Sequence, residues 1–256
     1  MILANRTYGE KGETLVILHG LFGQSDNWTG IARKLSESLK VITLDLRNHG
    51  DSPHSEDFTY ELMANDVVDT CKAMNIGNIH LAGHSMGGKV AMVVAQKFPE
   101  LLRSLVVIDI APKFYNPHHQ QILKGLNALK PSEIQGRQDA EEELSAYIQD
   151  AGVRQFLLKN LKRKDTDGFE WKFNLKVLTD KIENVGKSTK DAISVVAALF
   201  FYGEKSSYLK DSDKTEIQAL FPNSEFRMME GAGHWLHAEN PTEMIAVLKD
   251  WVNRNS

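Results

Sequence analysis

The chain has 256 residues, of which 42% are hydrophobic and 25% charged, a composition typical of a folded globular protein and not of a disordered, collagen-like or coiled-coil chain. Its length is near the upper size of a single hydrophobic core, so we expect one large domain with an insertion. Thirty lysines and arginines against 34 acidic residues give a net charge of -4. This balance provides no broad electropositive field for nucleic acid or an anionic membrane surface.

Cysteine content and hydropathy indicate in which cellular compartment the protein is expected. The single cysteine, Cys71, cannot form an internal disulfide or a zinc site of several thiolates, so a reducing compartment is expected. The first residues contain no sustained apolar stretch after a basic start, and the longest apolar run, Val195 to Tyr202, is too short to cross a bilayer. We therefore expect a cytoplasmic protein without a membrane segment, either a monomer or a small homo-oligomer.

Short apolar runs bounded by turn residues recur along the chain and predict strands buried on both faces. They are Leu15–Leu18, Val41–Leu44, Ile79–Ala82, Leu105–Ile108 and Ser194–Tyr202, with a further strand near Glu225–Met229. The helix-like stretches between them are Tyr60–Met74, Gly87–Phe98, Lys214–Phe221 and Pro241–Val252. This alternation predicts an α/β fold: a mostly parallel sheet with helices on both faces and ligands at the carboxyl ends of the strands.

The alternation is interrupted once. Between residues 113 and 189, helical periodicity and mixed charge replace buried strands. We interpret 113–189 as a helical cap, inserted after the sixth strand into a core formed by 1–112 and 190–256. The charge clusters at 139–143 and 159–164 are interpreted as solvated helix faces.

A candidate nucleophile follows the predicted strand 79–82. Gly83-His-Ser85-Met-Gly87 is a G-x-S-x-G motif between a strand and a helix, the context in which it places a serine on a sharp, strained turn. The two glycines would let strand and helix approach closely. The helix starting at Met86 directs free N–H groups, and the positive end of its dipole, toward whatever the hydroxyl attacks.

The same segment also spells G-x-x-x-x-G-K, a phosphate-binding pattern, from Gly83 to Lys89. That site needs a hydroxyl at the next position to hold Mg²⁺, and Val90 has none. We therefore favour a serine nucleophile over a nucleotide site or a purely structural turn.

A serine hydroxyl needs a base within hydrogen-bond reach, and the base needs an acid that orients it. In this kind of fold both follow the serine in the order acid, then histidine. The glycine-rich loop 231–234 presents His234 as the candidate base. For the acid we favour Asp109, which follows strand 105–108 and should emerge at the same sheet edge as Ser85. The alternative acids are Glu204, Asp211 and Asp213.

The other histidines have simpler interpretations. A hydrogen-bonded structural imidazole is expected at strand ends and turns, and a solvent-facing one where the cap begins. The first group is His19, His49, His54, His80 and His84, and the second is His118 and His119. His234, His237 and Glu239 could be imagined as metal ligands, but the H-E-x-x-H pattern is absent. We expect neither a metal nor a cofactor.

These motifs resemble the landmarks of the α/β-hydrolase family in order and spacing. The matching segments are His19–Gly23, Asp45–Ser52, Gly83–Gly88 and Gly231–Trp235. Within the family, the chain is most similar to the bacterial YbfF esterase group and its mitochondrial relatives. The segments specific to that group are Asp45–Gly50, Gly83–Lys89, Ile108–Pro112, Gln155–Asn160 and Gly233–Ala238.

The resemblance implies the α/β-hydrolase fold and cofactor-free hydrolysis of carboxylic esters, and of acyl thioesters such as acyl-CoA. It carries the catalytic triad to Ser85, Asp109 and His234. By the same resemblance, the oxyanion hole is formed by the backbone N–H groups of Leu21 and Met86, with Phe22 as the alternative to Leu21. Ser206 occupies the family's commoner acid position, a departure that favours Asp109.

Several alternatives stay open at this point. The same triad could support C–C bond hydrolysis or cofactor-free perhydrolysis. A receptor that keeps the pocket for a ligand and uses the cap as a switch is a non-catalytic alternative. We interpret Asp45–Ser52 mainly as a structural turn, in which Arg47 is the one residue that could contact an anionic group.

Overall fold

Nine strands, eleven α-helices and four short 3₁₀ helices make up the regular structure of the computed structural model, which describes residues 1–165 and 168–256. In chain order the strands are β1 (Asn5–Tyr8), β2 (Thr14–Leu18), β3 (Lys40–Leu44), β4 (Ile79–His84), β5 (Leu102–Ile108), β6 (Leu161–Arg163), β7 (Phe169–Trp171), β8 (Ala198–Gly203) and β9 (Ser224–Met229). The helices are α1 (Thr29–Leu35), α2 (Tyr60–Ala73), α3 (Met86–Lys97), α4 (Gln120–Ala128), α5 (Arg137–Ser145), α6 (Ala151–Leu158), α7 (Leu175–Asp180), α8 (Ile182–Gly186), α9 (Lys214–Leu220), α10 (Leu236–Glu239) and α11 (Pro241–Arg254).

Seven strands form one sheet in the order β1-β3-β2-β4-β5-β8-β9. All neighbours are parallel except β1 and β3, which are antiparallel. The predicted mostly parallel sheet is therefore confirmed. Because parallel strands end at the same edge, the loops that follow β2, β4, β5, β8 and β9 meet there.

Apolar side chains pack on both faces of this sheet. One cluster contains Trp28 beside α1 and Trp251 of α11. The other contains the buried side chains of α2 and α3. Helix α2 begins where the Thr59 side chain accepts a hydrogen bond from the Leu62 amide, an N-cap that satisfies one free amide of the first turn. None of the described helices combines the length and apolar character needed to cross a lipid bilayer.

The cap segment, residues 113–189, contains helices α4 to α8 and the β6–β7 hairpin in its described part. Its buried side chains, among them Leu126 and Leu157, belong to the same apolar cluster as α2 and α3. The strand that precedes it, β5, is the fifth of this chain and not the sixth. The division into a core and a cap domain stays a prediction, because the two parts share one continuous apolar cluster.

Three differences from the predicted elements have physical reasons. Strand β1 was not predicted because it is short and mostly exposed at the sheet edge. The β6–β7 hairpin was missed because its strands have three residues each. Strand β8 begins at Ala198 and not at Ser194, since Ser194 donates its hydroxyl to the Ala95 carbonyl and Val195 is 68% exposed.

Candidate active site

Ser85 occupies the turn between β4, the central strand, and α3. Its backbone has φ 54° and ψ -118°, in the left-handed half of conformational space that side chains rarely adopt. A β-carbon on Gly83 would lie 2.2 Å from the Gly87 carbonyl oxygen, and one on Gly87 would lie 2.5 Å from the His19 carbonyl oxygen. The predicted reason for both glycines is therefore confirmed, because any larger residue would push the strand and helix apart.

Asp109 directly follows β5, the neighbour of β4, and its side chain is fully buried. The Asp109 amide donates to the Phe201 carbonyl at 2.8 Å, with φ 52°. One carboxylate oxygen accepts a hydrogen bond from the Gly203 amide at 3.0 Å. The other accepts from the Ser206 hydroxyl and, at 2.6 Å, from Nδ1–H of His234. A buried carboxylate with these partners is both satisfied and oriented.

His234 lies on the loop after β9 and links the other two groups. Since its Nδ1–H donates to Asp109, its Nε2 is left as the acceptor for the Ser85 hydroxyl, at 3.1 Å. The His234 carbonyl accepts from Nε2–H of His84 at 2.8 Å. Its ring stacks on Tyr208 with centroids 4.0 Å apart. Hydrogen bonds and the Tyr208 ring fix the imidazole in place, while 21% of the side chain stays exposed, on the side of the cavity.

The three alternative acids have other partners in the described structure and make no hydrogen bond with His234. Glu204 accepts from the Gly231 amide at 2.8 Å, Asp211 pairs with Lys214 at 2.7 Å, and Asp213 pairs with Lys113 at 2.6 Å. Asp109 is thus the carboxylate that contacts the imidazole.

The candidate oxyanion donors differ in whether their amides are free. Within the described residues, the amides of Leu21 and Met86 have no hydrogen-bond acceptor, and both residues line the cavity beside Ser85. The Phe22 amide donates to Nε2 of His49 at 3.2 Å, so it is already committed. The geometry accordingly favours Leu21 over Phe22 for the first donor.

The structural interpretation of the neighbouring imidazoles is confirmed for His19 and His49. Nδ1–H of His19 donates to the Gly20 carbonyl at 2.7 Å, and its Nε2 accepts from the Leu46 amide at 3.0 Å. Burial lowers the pKa of His19, and it lowers the pKa of His49 to about 3. These rings are therefore neutral at pH 7 and hold the loop after β2.

The prediction of solvent-facing histidines at the start of the cap is wrong for His119. That residue lines the cavity beside Ser85, and burial lowers its pKa to about 4. His118 is exposed, and its Nε2 lies 2.5 Å from the Tyr208 hydroxyl. His118 packs against His119 and Tyr208 with tilted ring planes, at centroid distances of 4.3 and 5.6 Å.

Arg47 is not available to an anionic ligand. Its guanidinium is buried and makes a two-pronged ion pair with Asp66, at 2.6 and 2.9 Å. The Asp45 carboxylate accepts from the amides of Ser25 and Asp51. The turn interpretation is confirmed, and the anionic group that Arg47 contacts is the Asp66 carboxylate of the protein itself.

Two cavities meet at Ser85. The larger, of about 170 Å³, extends past His234 and Trp235 to Phe156 of α6. The smaller, of about 30 Å³, lies on the side of Met86 and Lys89. Both combine apolar walls with a few polar groups, as small-molecule sites do.

The candidate metal ligands His234, His237 and Glu239 do not form a metal site in the described structure. Among the described residues, no group of three His, Cys, Asp or Glu side chains is arranged to hold a metal ion. The Glu239 carboxylate instead accepts from the amides of Gly233 and Trp235. His237 stacks on Trp28 with centroids 4.6 Å apart. These residues therefore shape the loop that carries His234.

The chain belongs to the alpha/beta hydrolase fold family, whose model matches residues 13–241. A solved structure titled "Marine microorganism esterase" is 40% identical, with a TM-score of 0.95 over 97% of this chain and 98% of that one. "Esterase YbfF" of Escherichia coli is 37% identical over 240 residues, or 93% of this chain and 92% of that protein. "sn-1-specific diacylglycerol lipase ABHD11" of Danio rerio is 38% identical over 247 residues, or 92% of this chain and 78% of that protein.

Sequence reasoning missed several residues of this site. Tyr208, which stacks on His234, lies in an ordinary loop with no motif. The Ser206 hydroxyl is bonded to Asp109, although the sequence marked Ser206 only as a departure from the family pattern. Asn160 donates to the Phe22 carbonyl at 2.8 Å and so joins the cap segment to the loop after β2. Its place in the segment 155–160 shared with the YbfF group was the available signal.

Proposed function

We propose that this protein is a serine hydrolase that cleaves carboxylic esters through an acyl-enzyme on Ser85. The continuous hydrogen-bonded path from the Ser85 hydroxyl through His234 to the buried Asp109, at the meeting point of two cavities, carries this proposal. The relatives named as esterases and as a diacylglycerol lipase support the same reaction class.

The first half of the reaction forms the acyl-enzyme. His234 Nε2 takes the proton from Ser85 as Oγ bonds to the substrate carbonyl carbon, giving a tetrahedral intermediate. The free amides of Leu21 and Met86 stabilise the charge on its oxygen, an effect worth about 3 kcal/mol for each donor. Collapse breaks the ester C–O bond, and His234 gives its proton to the departing alkoxide.

The second half regenerates the enzyme. Water adds to the acyl carbon while His234 takes one of its protons, and the Ser85 C–O bond then breaks with return of that proton to Oγ. Asp109 stays ionised throughout, because it holds the imidazole in the required tautomer and stabilises the imidazolium. No step calls for a cofactor, and the substrate is a small acyl ester.

The finer assignment is to esters and also acyl thioesters such as acyl-CoA. A thioester presents the same electrophilic carbonyl and a better leaving group, so the same residues act in the same order. The larger cavity favours an apolar substituent, since Phe156, Leu157 and Ile122 line it.

The experiment is a panel of p-nitrophenyl esters and acyl-CoA thioesters of graded acyl length, measured as kcat/KM for wild type and two serine variants. Ser85→Ala removes the nucleophile and should lower kcat by about 10⁵-fold or more. Ser207→Ala is the matched control, because Ser207 is exposed on the loop after β8. It should leave all rates within twofold.

The outcomes separate the coarse proposal from the fine one. Turnover of esters that Ser85→Ala abolishes supports the hydrolase, and turnover of acyl-CoA in the same pattern supports the thioesterase. Ester turnover without any thioester turnover would remove the finer assignment alone. A folded wild-type protein that turns over no member of the panel, or a Ser85→Ala variant as active as wild type, would overturn the proposal.

A further inference from the structure

Lys89 is a buried lysine that the proposed reaction does not use. It lies on α3, four residues after Ser85, and is 1% exposed. Lysine is almost never so buried unless it is paired, yet no carboxylate pairs with Lys89 in the part of the chain that the structure describes. The lysine of the G-x-x-x-x-G-K pattern therefore needs a physical explanation other than phosphate binding.

Backbone carbonyls take the place of a counter-ion. The Lys89 ammonium donates to the carbonyl oxygens of Lys113 at 2.9 Å, of Gly186 at 3.4 Å and of Lys187. The ring of Tyr115 lies 4.8 Å from Nζ and that of Tyr60 lies 5.6 Å from it, within the range of a cation–π contact. In the protonated form, each of the three N–H groups thus has an acceptor, and two aromatic rings face the charge in place of an acid.

The three acceptors lie at the two ends of the cap segment. Lys113 belongs to the first hinge, defined here as residues 112–116, and the carbonyls at 186 and 187 belong to the second hinge, residues 185–190. One side chain therefore reaches both places where the chain passes between the sheet and the cap segment. The glycine at 186 has a packing reason as well, because a β-carbon there would lie 2.2 Å from the Tyr115 carbonyl oxygen.

Other contacts at the hinges do not replace this one. The Thr189 amide donates to the Pro112 carbonyl at 2.8 Å and the Tyr115 amide to the Gly186 carbonyl at 2.8 Å, so the hinges pair with each other. Gln96, also on α3, donates to the Thr189 carbonyl alone. Among these contacts, only Lys89 joins both hinges directly to the helix that begins beside Ser85.

We propose that Lys89 is a positioning residue that fixes both hinges of the cap segment to α3 and thereby sets the dimensions of the smaller cavity beside Ser85. Lys89, Tyr115 and Gly186 line that cavity together with Ser85 and Met86. A displaced hinge would move two of its walls and leave the hydrogen bonds of Ser85, His234 and Asp109 in place. The kinetic consequence rests on the proposed function, whereas the effect on the hinges does not.

The test measures hydrogen exchange of backbone amides by mass spectrometry in three proteins. Lys89→Met keeps an unbranched side chain of similar length and loses every donor. Lys97→Met is the matched control, since Lys97 lies on the same helix and is exposed. In Lys89→Met, amides of both hinges should exchange at least tenfold faster than in wild type, while those of β4 and β5 are unchanged. Lys97→Met should exchange as wild type does.

A kinetic readout separates positioning from general destabilisation. For p-nitrophenyl esters of increasing acyl length, Lys89→Met should change KM, and hence selectivity, by fivefold or more. Its kcat on the best substrate, and its rate of fluorophosphonate labelling at Ser85, should stay within about threefold of wild type. Lys89→Arg, which keeps the charge and the donors, should restore part of the wild-type selectivity.

The two proposals fail in different ways. Equal hinge exchange in Lys89→Met and Lys97→Met would overturn the role of Lys89, whatever the activity. A wild type that neither hydrolyses esters nor takes the label would overturn the proposed function, while the exchange comparison still decides the role of Lys89. If Lys89→Met fails to fold, Lys89→Gln replaces it. The glutamine amide cannot satisfy three carbonyls in both hinges, so faster exchange confined to the hinges is again expected, and unchanged exchange contradicts the proposal.

Discussion

The carboxyl edge of the sheet and the cap segment contribute to the candidate site in different ways. At the sheet edge, hydrogen bonds fix the reacting groups: Asp109 has three donors, and His234 is bonded at both ring nitrogens. The cap segment contributes mainly apolar walls, such as Phe156, whose ring meets Trp235 edge-on at 4.3 Å. Under the proposed function, we expect the sheet edge to carry out the chemistry and the cap segment to select the substituents that fit.

The two regions are nevertheless joined at specific atoms. Asn160 ties the end of α6 to the Phe22 carbonyl, next to the candidate oxyanion donor Leu21. Lys89 ties both hinges to α3. Even so, substitution of a reacting group at the sheet edge should lower kcat for every substrate. Substitution in the cap segment should instead change the ratio of kcat/KM between substrates.

The greatest loss of activity should follow substitution of the acid at the sheet edge. Asp109→Asn keeps the side-chain volume but replaces the carboxylate by a neutral amide, which has one donor group and one acceptor oxygen. The imidazole therefore loses both the partner that fixes its tautomer and the negative charge that stabilises its protonated form. We expect kcat to fall by roughly 10³- to 10⁴-fold for all esters, with an unchanged circular dichroism spectrum. Activity that survives Asp109→Asn and is abolished by Glu204→Gln would show that another acid orients His234.

The next largest effect concerns the hinges and their dependence on pH. Burial, and then the nearby Lys190, lower the pKa of Lys89 to about 7, from its usual 10.5. The burial prevails over the three carbonyl acceptors, which favour the charged form. Tyr60 and Tyr115 face the same ammonium, and burial raises the pKa of both hydroxyls, so they stay protonated over the range considered.

The sign follows from linkage. The pKa of Lys89 is about 7 in the native protein and about 10.5 in the unfolded chain. Between these pH values the unfolded chain binds more protons than the native protein, so the free energy of unfolding rises with pH. The free energy of unfolding of wild type, relative to Lys89→Met, should increase by about 2 kcal/mol from pH 7 to pH 9. Urea unfolding at both pH values measures it. A difference that is flat or falls with pH would contradict the lowered pKa.

A third substitution tests the role of the cap segment in substrate selection. Phe156→Ala removes an aromatic wall of the larger cavity, so it should change the ratio of kcat/KM between long and short esters by roughly 10- to 50-fold. The exposed Lys124, on α4 of the same segment and outside both hinges, supplies the control Lys124→Ala, for which wild-type selectivity is expected. Equal loss of activity on all esters would assign Phe156 to the chemistry instead.

The smallest effect concerns the third donor of the acid. Ser206→Ala removes one hydrogen bond to Asp109 and leaves those of the Gly203 amide and His234. We expect kcat to fall roughly three- to tenfold, less than the full value of a hydrogen bond to a charged group, with KM unchanged. Ser207→Ala, its exposed neighbour, should match wild type. A loss as large as that of Asp109→Asn would give Ser206 a direct part in the reaction.

The sequence could predict those parts of the fold and site that follow from local chemistry. The glycines around Ser85, the strand before Asp109 and the loop of His234 each have a short-range signature, and the parallel sheet brings their ends to one edge. The stacking of Tyr208 on His234, the place of His119 in the cavity wall and the three carbonyls around Lys89 depend on segments far apart in the chain. No periodicity encodes such contacts, so only the packed structure displays them.

Labelling by a fluorophosphonate, located by mass spectrometry of the digested protein, tests directly whether His234 makes Ser85 nucleophilic. Wild type should carry one adduct on the peptide that contains Ser85, Ser85→Ala should carry none, and His234→Ala should react at least 100-fold more slowly. An adduct on another residue, no adduct on the folded wild type, or equal rates for wild type and His234→Ala would contradict a serine made nucleophilic by His234.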